Sequence, residues 1–297
     1  PLWLPKYFRM DPQTFMEVAT VVTKLKMYPY FDIAHYLLMC ISVRDDMPQG
    51  ESPNQQPFWR KHPLSTWISS MLICFAGSLI ANLLLGEPII TPFKDHRSIL
   101  TFTIVWYLVY YSPFDLVYKV TKFLPVKIVI SMLKECQRAH KVYHGVYHTA
   151  KIYPNSLLVI VIIGTVKGSG GGLMKNFERL IRGLWIPGTN EILQPSYTTK
   201  ASFVAATVFL LERLNYITVP HAVIYFGVVI FFVYFKLSSI LLGINDPFSP
   251  FENLFCALFM GGMWDAMRRA VSKEPKKEEE NDIRNDVIKS KEEKKKD

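Results

Sequence analysis

The chain has 297 residues, half of them hydrophobic and 14% aromatic, and a formal net charge of +9. Long uncharged runs beside that positive excess argue against a nucleic-acid-binding protein and for contact with a membrane or lipid. The four cysteines, Cys40, Cys74, Cys136 and Cys256, fall inside apolar runs without CxxC spacing, so neither a disulfide framework nor a zinc site is supported.

Residues 1–26 form an N-terminal segment. Its opening, Pro1 to Gln13, lacks the sequence of charged start, apolar run and small-residue cleavage site, so no removable signal peptide is expected and the first span serves as the signal. Residues 27–245 are expected to form a membrane domain of seven spans. The first, Tyr28 to Val43, is apolar except for Asp32 and His35. The second, Leu64 to Leu85, runs 22 residues without a charge, enough for a hydrocarbon core of roughly 30 Å. Ser98 to Phe114 is the third and Pro125 to Ala139, which carries a row of basic residues, the fourth. Ser156 to Met174 is interrupted by Lys167 and a glycine cluster, Tyr197 to Leu211 is short, and Ala222 to Ile244 has Lys236 as its only charge. A soluble all-helical protein explains one or two such runs, not seven, so the expected class is an all-α integral membrane protein.

Residues 246–271 follow the last span, and 272–297 form a charged tail with nine basic and nine acidic residues and no apolar periodicity, expected to be disordered. Basic residues divide nine against nine between the two sides of the membrane, and Arg268 with Arg269 tips the count toward a cytosolic C-terminus.

Phe31-Asp32 at the first span is echoed by Phe114-Asp115 at the fourth, which suggests repeats over 27–112 and 113–214 with a seventh helix over 220–244 left over. Three spans per half force opposite orientations, the inverted-repeat plan of many transport proteins. The second span of each half carries small residues, Ala76-Gly77-Ser78 in one and Gly168-Ser169-Gly170-Gly171-Gly172 in the other. Consecutive glycines in a helix interior cost about 1 kcal/mol each relative to alanine. A kinked or unwound helix beside a pore is one reading of Gly77 and of Gly170, Gly171 and Gly172; close helix packing is the other.

Lys127, Ser131, Lys134, Arg138 and Lys141 share one helical face. Charges at membrane depth face a bundle interior or a wet cavity, so the stripe reads as the lining of a pore or ligand site, with Lys127 and Lys141 reaching the two interfaces. Bare cations would repel a permeant cation, and an anionic lipid headgroup over Lys134 and Arg138 would neutralise them. The other reading pairs them with Asp32, Asp115 or Glu135 for structure alone. Lys134 is also a candidate gate. Lys167 is placed either at the constriction or at the interface, and Asp32 with His35 either faces the pore or caps the helix. Glu178, Arg179 and Arg182 are expected at a solvated helix end. His140, His144 and His148 have the spacing of a one-faced metal cluster, but stand as a single box among Tyr143, Tyr147 and Lys141, so no metal is expected.

Four phrases carry a family resemblance: PYFDIAHYLL at 29–38, Lys134-Glu135-Cys136-Gln137-Arg138, KGSGGG followed by NFERL at 176–180, and PFSPFENLF at 247–255. In them the chain resembles the trimeric intracellular cation channel (TRIC) family, type B-like. The resemblance implies seven transmembrane helices, inverted three-helix repeats plus one extra helix, and a homotrimer with one pore per protomer. It implies potassium and other monovalent cations as counter-ions during calcium release across the endoplasmic or sarcoplasmic reticulum membrane, and no enzyme chemistry. It also implies bound phosphatidylinositol 4,5-bisphosphate, for which Lys134, Arg138 and Glu135 are the candidate residues. Lys134, Lys167, Asp32, Gly77, Gly170, Gly171 and Gly172 are those for the pore and gate. Two departures stand out: Ala76-Gly77-Ser78 replaces the family's triple glycine, and Cys136 replaces a valine. The alternatives are a secondary transporter with broken helices and a histidine-box membrane metalloenzyme.

Overall fold

The computed structural model describes residues 11–47, 56–186, 188, 190–243, 246–261, 264–265 and 267–268. The tail at 272–297 and Arg269 lie outside the described residues. Every regular element described is helical. The chain divides into two compact units, Pro1–Pro247 and Phe248–Asp297.

In the first unit α1 (Pro12–Thr23) starts on a proline, whose missing N–H costs nothing at a helix start, and lays Phe15 edge-on to Phe226 at 5.6 Å. α2 (Tyr30–Asp45) and the short α3 (Phe58–Lys61) lead to α4 (Pro63–Leu85). That helix opens on Pro63 and closes on Gly86 at φ 72°, the left-handed C-terminal stop that glycine adopts without a Cβ clash. Asp95 begins α5 (His96–Tyr111), its carboxylate accepting from Arg97 N at 3.1 Å and Ser98 Oγ at 2.6 Å. Phe114 and Asp115, both at φ 56°, then turn the chain by 91° into α6 (Leu116–Lys122).

α7 (Leu124–Ile152) runs 29 residues, about 44 Å at 1.5 Å per residue. It therefore carries the basic stripe and the three histidines on one continuous rod. α8 (Leu157–Ile181), α9 (Tyr197–Arg213) and α10 (His221–Leu242) complete the unit. α4, α7 and α9 all pack along α8, while α2 and α10 pack on α7. Tyr36, Cys40, Phe102, Trp106, Val109 and Tyr110 form an aromatic core between α2, α4 and α5, and Ala81, Leu85, Ile163 and Val166 a smaller one between α4 and α8.

All seven expected spans fall on helices, but among the described residues only α4, α8 and α10 are long and apolar enough to cross a membrane, or four crossings with the bent α5 and α6 as one. The count of seven exceeds this for a physical reason. α2 and α9, at 16 and 17 residues, are shorter than the hydrocarbon core, and α7 has its length without the apolarity because its charges face inward.

In the second unit α11 (Ser249–Phe259) has no buried residue.

Candidate functional site

A cavity of about 190 Å³ opens among α2, α4, α7, α8 and the start of α9. Five cations line it, Lys134, Arg138, Lys141, Lys167 and Lys175, against two carboxylates, Asp46 and Glu178. The sequence candidates Lys134, Arg138, Lys167, Gly77, Gly170, Gly171 and Gly172 are all brought together on this wall, with His35 of α2. Asp32 and Glu135 are not among its lining residues.

The wall on α7 follows from helical spacing. Lys134, Arg138 and Lys141 project from successive turns of one face, and Gln137 beside them donates Nε2 to Asp32 of α2. Glu135 points away, is fully buried, and accepts from Arg138 Nη1; its Oε1 has no hydrogen-bond partner. It neutralises the guanidinium from behind, so as placed it does not face a ligand in the cavity. Lys141, expected at an interface, instead turns inward. Its Nζ is 3.1 Å from His35 Nε2, which is 2.9 Å from the carbonyl oxygen of Cys74. Lys127 is exposed. The fourth expected span ends at Ala139, which puts Lys141 at the boundary, but α7 continues to Ile152 and keeps the ammonium in the cavity.

Lys167 enters the same space from α8, crossing α7 where Gly145 leaves room: a Cβ on Gly145 would lie 2.8 Å from Lys167 Cγ. Among the described residues neither Lys134 nor Lys167 makes an ion pair.

The glycine cluster does not break its helix. α8 is α-helical from Leu157 to Ile181 and α4 from Pro63 to Leu85, and neither contains a positive φ. The small residues are used for approach. A Cβ on Gly170 would lie 2.3 Å from Gly77 Cα, and one on Gly77 would lie 2.6 Å from the carbonyl oxygen of Lys167, so the two backbones touch at this crossing. Gly171 has ordinary space facing Ile73 and Met39, while at Gly172 the carboxylate of Glu191 takes the room a side chain would need. Of the two readings, continuous helices in contact fit close packing, because the facing backbone fills the space that a side chain would need.

At the other end of the wall the expectation of a solvated helix end is overturned. Glu178, Arg179 and Arg182 are at most 6% exposed. Asp46, at the end of α2, takes Arg179 Nε at 2.9 Å and Nη2 at 2.6 Å and Arg182 Nη2 at 2.7 Å, with Lys175 Nζ at 3.5 Å. Arg182 also holds Glu178, donating Nη2 at 2.9 Å. Burial alone would push the Asp46 carboxyl up. The hydrogen bonds from Arg179 and Arg182 and the charge of Lys175 outweigh it and hold the group well below the usual carboxylate range. Arg44 is a second buried cation, donating Nη1 to Val109 O at 2.5 Å and Nη2 to Asp115 at 2.9 Å and stacked on Trp59 at 4.4 Å. Asp115 therefore serves the α2–α5 corner and not the stripe.

Sequence reasoning missed Asp46, Lys175, Gln137 and Glu191. Asp46 had a faint signal, an acidic doublet closing an apolar span opposite a later run of Arg and Lys. Glu191 had less: it accepts from Ser196 N at 2.9 Å and Thr199 Oγ1 at 2.5 Å, capping the start of α9 from a loop. Of the histidines, His140 and His144 lie ring to ring at 5.8 Å, while His148 Nε2 reaches Glu87 at 2.7 Å. Pairing one imidazole with a carboxylate just past the end of α4 ties α7 to that corner and leaves the three rings divided. The cavity gathers lysine and arginine side chains with His35 on one wall. What it offers chemically is a polar recess with surplus positive charge, fit to take oxyanions or to set the potential along a path.

The family model described as TRIC channel matches residues 52–243. "Trimeric intracellular cation channel type 1B.1" of Caenorhabditis elegans is 54% identical over 270 residues, covering 91% of this chain and 90% of that protein. A trimeric intracellular cation channel from C. elegans solved in the absence of Ca2+ superposes with a TM-score of 0.72 at 51% identity, covering 80% of this chain and all of that one. A structure described as the basis for activity of TRIC counter-ion channels in calcium release reaches a TM-score of 0.70 at 34% identity, over 76% of this chain and 99% of that one.

Proposed function

The chain belongs to the trimeric intracellular cation channel family, and we propose that each protomer conducts monovalent cations, potassium foremost, through the cavity between α2, α4, α7 and α8. The current balances charge as calcium leaves the endoplasmic or sarcoplasmic reticulum, a reading supported by the likeness to a structure described for counter-ion channels in calcium release. The conducting form is a homotrimer of seven-span protomers with inverted repeats over 27–112 and 113–214 and a cytosolic C-terminus. In it α2, α7 and α9 cross alongside the helices that meet the length and composition demands. The crossing of α4 and α8, the second helix of each proposed half, supports that symmetry, since Gly77 meets Gly170 at matching positions.

The single observation that carries the reading is the unpaired Lys134 beside the cavity, next to Arg138 whose charge is met only from behind. Two like unit charges 4 Å apart repel by about 4 kcal/mol at an effective dielectric of 20, close to a thousandfold penalty on occupancy by a potassium ion. Conduction therefore needs an anion on that wall. Phosphatidylinositol 4,5-bisphosphate supplies it, its phosphates taken by Lys134 and the free edge of Arg138, with Glu135 holding the guanidinium in place. Lys134 then doubles as the gate, its flexible stem swinging the ammonium out of the path when phosphate engages it. Lys167 sits opposite, and Asp32 shapes the potential through Gln137.

Planar-bilayer recording of purified protein with and without phosphatidylinositol 4,5-bisphosphate tests this reading. Unitary potassium currents that rise with the lipid are expected. Saturable flux without unitary events would replace the channel by a carrier, and currents indifferent to the lipid would remove it from the path.

A further inference from the structure

The phrase PFSPFENLF, which opens α11, has no part in the conduction path. On that helix Phe251, Leu254, Phe255, Leu258 and Phe259 recur at the i, i+3, i+4, i+7, i+8 spacing of one face. All five are more than half exposed, and Met260 and Trp264 beyond the helix end are exposed as well. The opposite face carries Glu252, Asn253 and Cys256. An apolar stripe of this breadth, with three phenylalanines, is not one that water solvates well.

The tether says what lies within reach. α10 leaves the membrane at Leu242, and Gly243 ends it in the left-handed conformation. Six residue steps separate Gly243 from Ser249, and at no more than about 3.6 Å each they keep the start of α11 within roughly 22 Å of the end of that span. A bilayer surface is always inside that radius, whereas a soluble partner must be present and must find the helix. A short polar-and-apolar helix following a span, with aromatic residues on its apolar side, has the makeup of helices that lie in the headgroup layer.

We propose that α11 is an interfacial anchor: it lies flat in the phospholipid leaflet from which α10 emerges, its Phe and Leu face among the upper acyl chains and its Asn253 and Cys256 side toward water. The inference rests on α10 crossing the membrane and not on which ion the channel conducts. By fixing where the chain leaves the bilayer, the anchor sets the point from which residues after it extend.

Spin labelling of the full-length protein in phosphatidylcholine vesicles tests this. The native Cys256, exposed on the polar side, gives the water-facing site, and Cys256→Ser combined with Phe255→Cys moves the label to the apolar side. Cys256→Ser alone supplies the background from Cys136. Dissolved oxygen is expected to relax the label at 255 more strongly than a water-soluble nickel chelate does, with the order reversed at 256. Nickel dominating at both sites overturns the proposal in favour of a helix held in water. A label at 255 shielded from both reagents also overturns it, because protein then covers the face. Phe259→Cys repeats the measurement if the first variant does not assemble.

Discussion

At one end of the cavity Lys175, Arg179 and Arg182 share the carboxylates of Asp46 and Glu178, Arg179 on Asp46 and Arg182 on Glu178 through bidentate contacts. Along α7 and α8, Lys134, Arg138, Lys141 and Lys167 outnumber the carboxylates near them, and among the described residues Lys134 and Lys167 pair with none. The two groups have similar composition and opposite consequences. A cluster in which every cation touches a carboxylate, here three cations on two carboxylates, behaves as a clasp between the end of α2 and the end of α8. One whose charges are left over is a receptor, because its members gain more from an arriving phosphate than from each other.

The contrast breaks most sharply at Asp46. Asp46→Asn removes the carboxylate charge that Arg179 and Arg182 share, and unfolding of detergent-purified protein is expected to show a loss of about 3 to 5 kcal/mol, the range for breaking a buried ion pair. A loss under about 1 kcal/mol would mean that the clasp is ornamental. Next comes the crossing that sets the spacing of both groups: Gly170→Val drives side-chain carbons into the Gly77 backbone and should cost about 1 to 3 kcal/mol, with a lower melting temperature as the readout. Gly171→Ala, which meets only ordinary contacts, should raise it, by up to about 1 kcal/mol of stability from helix propensity.

Substitution on the receptor side should act on ligand and current, not on folding. Lys134→Ala is expected to weaken phosphoinositide binding about tenfold or more, one charged hydrogen bond being worth roughly 1.5 to 3 kcal/mol, and to change open probability in bilayers. Unchanged binding together with unchanged open probability would remove Lys134 from both roles. The smallest effect is acid sensitivity of the clasp. The carboxyl of Asp46 is depressed by its arginines, so its contribution is present in full above the unfolded aspartate value of about 4 and is lost as pH falls through the lower folded value. Thermal melts between pH 5 and 3 should fall more steeply in the natural protein than in Asp46→Asn.

How much was legible in advance varied with how local each cause was. The all-helical membrane class and the helices under the seven apolar runs were readable, because apolar runs act within one segment, whereas α1, α3, α6 and α11 and the last three turns of α7 were not. The stripe on α7 was readable too, since Lys134, Arg138 and Lys141 share a face whatever surrounds them. What was misread depended on neighbours. Glycines at 170 to 172 carry the same local preference whether they unwind a helix or admit another, and only Gly77 on α4 decides between those outcomes. Arg179 and Arg182 look solvated until Asp46, more than 130 residues earlier in the chain, is brought against them. Lys141 looked like a boundary marker until His35 was placed beside it.

By itself the sequence determined the family through its shared phrases, and the apolar runs and the surplus of positive charge on one face of α7 through periodicity and composition, which are properties of single segments. The tertiary structure decided which of those charges are matched and which are left over. That choice depends on distances between α2, α4, α7 and α8, and an ion pair or a glycine contact changes its meaning within a few ångströms.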